Sequence, residues 1–162
     1  MARKVEPWRR ERLLDAALVA MSERGGNGLR LKDIAEAAGV SNATIHYHFN
    51  DIEGVFAGVL ERAFAQFYTA RLEAIESTTS LPAKLAQMIE FGVPDVPSVE
   101  LEMLYEGIAM IRGNADFVPL VNSYMDQQAD LYRAVIDAGI HAECFAPRER
   151  SQVIARNLVA LE

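Results

Sequence analysis

A single cysteine, Cys144, is the only thiol in the 162 residues, which excludes an internal disulfide framework. Three histidines and no cysteine pair leave no basis for a structural zinc site, and neither a metal nor a cofactor is expected. No apolar run approaches the roughly 18 residues that a membrane span needs. No charged-then-apolar signal segment opens the chain, so no membrane partner is expected and the cytoplasm is the default compartment. Strand-like alternation, internal repeats and low-complexity tracts are all absent. The last two thirds also lack a Ser/His/Asp arrangement, a carboxylate–histidine metal pattern and a glycine-rich phosphate loop, which counts against an enzyme.

Hydrophobic and charged residues are present in ordinary globular proportion. The net charge of −7 is unevenly spread. Residues 1–50 carry eight Lys/Arg against six Asp/Glu, and residues 51–162 carry eight against seventeen, so a +2 head precedes a −9 body. Phosphate neutralisation needs cations only at the contact, so this division suits a nucleic-acid-binding head; an excess of two is also within chance. Arg3, Lys4, Arg9 and Arg10 form either a basic arm onto phosphates or the minor groove, or a solvated terminus.

Apolar spacing predicts helices throughout, hence an all-α fold. Pro7 suits a first turn, and Leu13, Leu14, Ala17, Leu18 and Met21 make one stripe that ends at Gly25-Gly26-Asn27-Gly28. Leu31, Ile34, Ala35 and Ala38 mark a short second helix. Gly39 is the expected left-handed turn residue and Ser41 the cap of a third helix. In that third helix Ile45 and Phe49 point inward, while Ala43, Thr44, His46 and Tyr47 point outward. The outward face carries a hydroxyl, an imidazole and a phenol but no carboxylate, and such groups can meet bases or phosphates without repulsion. The alternative is a polar surface helix with incidental aromatics.

Asp51 is expected to cap a long helix reaching about Glu76, and Pro82 to open another through Val93. Further helices are predicted over 98–112 and 115–138, with a loop at 139–147. A last helix starts near Pro147 and is still running at Glu162, so the native protein is expected to continue beyond it.

The stretch RERLLDAALVAMSERGG from Arg10, followed by LKDIAEAAGVSNATIHYHFNDIEGVFAGVL to Leu60, closely resembles the DNA-binding domain of TetR-type transcriptional regulators. The dense match covers the first third. The later helices resemble the family's variable body in number and length, and the loop Gly139 to Phe145 also resembles it. The resemblance implies a helix-turn-helix three-helix DNA-binding domain at 1–50, joined by the long helix to a larger helical ligand-binding and dimerisation domain at 51–162. It implies a homodimer, usually a repressor, that sets its third helix into the major groove of a palindromic double-stranded operator. A small-molecule effector in the body changes the spacing of the two heads and releases the DNA. Carried over by position, Ser41, Asn42, Ala43, Thr44, His46, Tyr47 and His48 contact DNA, and Lys32 contacts a phosphate. Two positions depart from the family pattern. Ile52 stands where a phosphate-contacting lysine is common, and Arg30 where Thr or Ser opens the second helix. Arg30 could restore the lost cation.

An effector site needs apolar lining and a few polar groups. Phe64, Phe67, Tyr68, Met88, Phe91, Met103, Tyr105, Met110, Tyr124, Met125 and Tyr132 offer the lining, and Arg71, Gln128 and Gln152 the polar groups. Each alone reads equally as core packing; together they fit an apolar or aromatic ligand. His141 and Cys144 share a loop, which reads as structural rather than as a metal or redox switch. The competing functions are an all-α enzyme or carrier without DNA binding, and a regulator that has lost its ligand response.

Overall fold

The computed structural model describes residues 7–24, 29–93 and 115–162. Every regular element among them is helical: α1 (Pro7–Arg24), α2 (Leu31–Ala38), α3 (Asn42–His48), α4 (Ile52–Glu76), α5 (Leu81–Gly92), a 3₁₀ turn (Ala115–Phe117), α6 (Val118–His141) and α7 (Ser151–Leu161). No helix among these residues is long and apolar enough to cross a membrane. The predicted helix over 98–112 lies outside the described residues. The described chain forms two compact units whose border falls inside α4, between Arg62 and Ala63.

The first unit packs α1, α2, α3 and the start of α4 on one core. Leu13, Leu14 and Ala17 of α1 meet Ile34 and Ala35 of α2, Ile45 of α3, Phe49, and Val55 and Val59 of α4. Local chemistry sets its turns. Gly39 ends α2 at φ 65°, where an L side chain is strained, and its neighbour Val40 donates its N–H to the Ala35 carbonyl at 2.9 Å. The Ser41 hydroxyl accepts the Thr44 N–H at 3.3 Å and caps α3. The Asp51 carboxylate accepts the Gly54 N–H at 2.7 Å and caps α4, where its charge also meets the positive helix end.

The second unit gathers the remainder of α4 with α5, α6 and α7. Ile75, Met88, Ala129, Tyr132, Val135, Ile136 and Ala155 form its buried cluster, with Leu158 and Val159 against it.

Three sequence expectations differ here. The sixth helix does not stop at 138 but runs through Gly139 to His141. Gly139 reads as a helix breaker, yet its bare Cα is what the Phe145 ring packs against, and a Cβ there would collide with that ring. Its carbonyl accepts the N–H groups of Cys144 at 2.8 Å and Phe145 at 3.1 Å, and Glu143 supplies the left-handed residue at φ 55°. The last helix begins at Ser151 rather than near Pro147. The spacing of Val153, Ile154, Leu158, Val159 and Leu161 predicts one apolar face for this helix, but Val153 and Leu161 are exposed, whereas Ile154, Ala155, Leu158 and Val159 face the core.

Two stability changes follow. Asp51→Ala removes the α4 cap and is expected to cost about 1 kcal/mol, read as a lower midpoint in urea unfolding. Gly139→Ala gains helix propensity but forces the Phe145 ring aside, so a net loss of about 1 kcal/mol is expected. A raised midpoint for the second variant would contradict the close packing.

Candidate functional site

The third helix presents the first candidate surface. Ile45 is fully buried and Phe49 is 5% exposed, which fixes the rotation of α3. Ser41, Asn42, Ala43, His46 and Tyr47 are thereby exposed, with Tyr47 at 57%. His46 Nδ1 lies 3.0 Å from the Asn50 carbonyl. A carbonyl only accepts, so Nδ1 carries the hydrogen in this contact.

Two of the expected contact residues, Thr44 and His48, are less exposed than the rest. Thr44 is half-buried, and its hydroxyl is 3.0 Å from that of Ser41, so it is engaged in capping α3. His48 is half-buried, and its Nδ1 is enclosed without a hydrogen-bond partner among the described residues. Burial first, then the charges of Arg9 and Arg10, hold its pKa below the usual histidine value, so the ring is neutral at pH 7. The Tyr47 and His48 rings meet edge to face at 5.3 Å.

The two departures from the family pattern have local reasons. Arg30 precedes α2 in extended conformation and cannot accept an amide as Thr or Ser would. Asp33 supplies the capping carboxylate instead, accepting the Arg30 N–H at 2.9 Å. The side chains of Arg30 and Lys32 are exposed. Ile52 packs against the first core, so the position is used for burial rather than for a cation.

Ion pairs between α1 and α4 were not evident from the sequence. Arg62 donates to Asp15 at 2.8 Å and to Glu11 at 3.3 Å, and Arg10 to Glu61 at 3.4 Å. The Arg10 guanidinium also lies over the Phe49 ring, 5.4 Å from its centroid.

The second candidate is a polar centre inside the second unit. Arg71 is 0% exposed and Gln128 1%. Arg71 Nη1 donates to Gln128 Oε1 at 2.6 Å, and Nη2 donates to Glu162 Oε2 at 2.9 Å. The Tyr132 hydroxyl donates to the other oxygen of the same carboxylate. Burial first, then this hydrogen bond and the charge of Glu162, push the Tyr132 phenol well up, with Arg71 opposing. Three rings surround the guanidinium: Phe67 at 5.1 Å, Tyr132 at 5.4 Å and Phe91 at 5.7 Å. Gly92 borders the ion pair so closely that a Cβ there would run into the Glu162 carboxyl group. Arg71 Nε and Gln128 Nε2 are buried donors with no acceptor among the described residues.

Around this centre Phe64 stacks on Tyr124 at 4.0 Å, and Phe67 tilts against Phe91 at 4.9 Å. Tyr68 and Met125 are half-buried, and Met88 is fully buried in the second core. Gln152 is corrected: it is exposed on α7 and does not join the centre. Met103, Tyr105 and Met110 lie outside the described residues. His141 and Cys144 are both exposed. Glu162 is the residue that the sequence reading missed. Its signal was an acid four residues after Leu158 and seven after Ala155, in line with an apolar stripe where a carboxylate needs a partner.

The profile of bacterial regulatory proteins of the tetR family matches residues 13–59, the whole of α2 and α3 with their flanks. A transcriptional regulator, BetI of Yersinia pestis (strain Pestoides F), is 34% identical over 160 residues, covering 97% of this chain and 78% of the relative. The transcriptional repressor KstR2 of Rhodococcus jostii (strain RHA1) is 24% identical over 136 residues, covering 82% of this chain. That match spans 65% of the repressor's length. Among solved structures, a transcriptional regulator from Saccharomonospora viridis in complex with choline superposes with a TM-score of 0.78 at 23% identity, covering 96% of this chain and 82% of the other. These relatives are regulators of transcription. By the matched helix-turn-helix, the shared all-helical fold and the 34% identity to BetI over 97% of this chain, this chain belongs to the tetR family of bacterial regulatory proteins.

Proposed function

We propose that the chain is a ligand-responsive transcriptional regulator, a repressor that leaves its operator when a small molecule binds in its second unit. The observation that carries this reading is the exposed face of α3. Ser41, Asn42, Ala43, His46 and Tyr47 stand out on a helix whose rotation is fixed by Ile45 and Phe49, and none of them is acidic. Arg30 and Lys32, exposed at the start of α2, are suited to phosphate contacts beside it. Thr44 and His48 act from behind, one capping the helix and the other bracing Tyr47.

In this reading residues 1–50 form the DNA-binding domain and residues 51–162 the ligand-binding and dimerisation domain, in the cytoplasm. Val118 and Ile140 on α6 and Val153 and Leu161 on α7 are exposed apolar residues, which supports a second copy covering these helices. A twofold dimer reads a palindromic operator, because the symmetry of the protein is repeated in the DNA. The effector is a small molecule with an apolar or aromatic body, set among Phe64, Phe67, Tyr68, Met88, Phe91 and Tyr124, with Arg71 and Gln128 as its polar fixed points.

The test is a band shift on DNA from the protein's own promoter region. The double variant His46→Ala/Tyr47→Ala is expected to bind at least about tenfold more weakly, as loss of base-edge contacts demands. Unchanged binding would remove α3 as the reading helix. Lys32→Ala is expected to weaken all duplexes alike and to lower the slope of log affinity against log salt by about 1. A sequence-selective loss would show that Lys32 reads bases instead.

A further inference from the structure

The Arg71 centre has an unequal supply of donors and acceptors. Nε and Nη2 lie on one edge of the planar guanidinium, the edge that a carboxylate takes with both oxygens. Glu162 uses only half of it: one oxygen meets Nη2 and the other turns to the Tyr132 hydroxyl. Nε is left without an acceptor among the described residues, as is Nε2 of Gln128, the residue whose Oε1 meets Nη1. Buried donors without acceptors are costly, and two of them in one cluster point to an acceptor that this conformation does not supply.

The charge balance narrows the class. Arg71 and Glu162 cancel, so an incoming cation would face a buried guanidinium that already fills the ring of Phe67, Phe91 and Tyr132. A neutral ligand that displaced Glu162 would leave the Arg71 charge buried and unmatched. A single carboxylate replaces the one charge and can also reach Nε. The parts differ in how readily they yield. The Glu162 side chain is 13% exposed, against 0% for Arg71.

We propose that this centre is a carboxylate-binding site in which Glu162 is the resident occupant. The effector is a small monocarboxylate with an apolar or aromatic body, which takes the place of Glu162 on Arg71 Nη2 and Tyr132 and adds the bond to Arg71 Nε. The inference rests on the ligand-responsive reading above and names the ligand class for the same site.

The full chain is titrated by calorimetry and thermal shift with benzoate and hexanoate, and with benzamide and choline as neutral and cationic counterparts at equal ionic strength. The carboxylates are expected to bind and to raise the melting temperature, while benzamide and choline do neither. Glu162→Gln removes the competing charge at equal size and is expected to bind the carboxylates at least about tenfold more tightly. Arg71→Met is expected to lose them. The wild-type titrations need no variant, so the proposal remains exposed if either substitution prevents folding. Binding of choline or benzamide with neither carboxylate bound would overturn it. So would carboxylate binding that survives Arg71→Met unchanged. A carboxylate that binds through Arg71 but leaves the protein–DNA complex intact upholds the site and overturns ligand release. Release of DNA by choline without carboxylate binding overturns the site and leaves ligand release standing.

Discussion

A guanidinium with no exposure to water is the constraint on which the second unit depends. Removing such a charge from water costs several kcal/mol even after relaxation, so the chain must surround it with compensation. Four helices contribute. Phe67 comes from α4 with Arg71 itself, and Phe91 and Gly92 from α5. Gln128 and Tyr132 come from α6, and Glu162 closes α7. Each supplies what the others cannot: a carboxylate for charge, an amide oxygen for one amino group, ring faces for the rest of the cation. The bare Cα of Gly92 allows the ion pair to sit against α5. A core assembled around a charge is less forgiving than one of Leu and Ile alone, because any missing partner leaves a buried ion exposed to the low dielectric. That sensitivity is also what makes such a centre useful for sensing a ligand.

The first unit solves a different problem. A seven-residue helix has little stability of its own and is held by its neighbours. Ile45 and Phe49 lock α3 into the core, Ser41 caps its start, and Gly39 permits the tight turn from α2. The exposed side chains of α3 are therefore displayed on a fixed platform, which lowers the entropy lost when they meet a partner. The ion pairs of Arg62 with Glu11 and Asp15 add a second tie between α1 and α4, worth little individually at a surface.

Much of this was readable in the sequence wherever the signal is local. Caps and turns at Gly39, Ser41 and Asp51 rest on chemistry within three or four residues, and helical spacing located α1, α2 and α4. The inward turn of Arg71 and Gln128 followed from their place on apolar stripes. Long-range contacts were not readable. Glu162 lies 91 residues from Arg71, and its place on an apolar stripe calls for a partner without naming which. Gly139 has the look of a stop, but its role is to admit the ring of Phe145. A helical projection put Thr44 on the outer face, yet it does not register that the Ser41 hydroxyl engages it. His48 follows the family's contact positions by number, while the neighbouring Arg9 and Arg10 of α1 make its surroundings electropositive and partly buried.

The central claim is that the face of α3 reads DNA from the major groove. Dimethyl sulfate reacts with guanine N7 in that groove and with adenine N3 in the minor one, so methylation interference on the promoter fragment tests it directly. Interference is predicted at guanine N7 positions in two half-sites related by a dyad, their centres one helical turn or a multiple of it apart, about 10 base pairs each. Interference confined to adenine N3, or none within a bound fragment, would contradict the account.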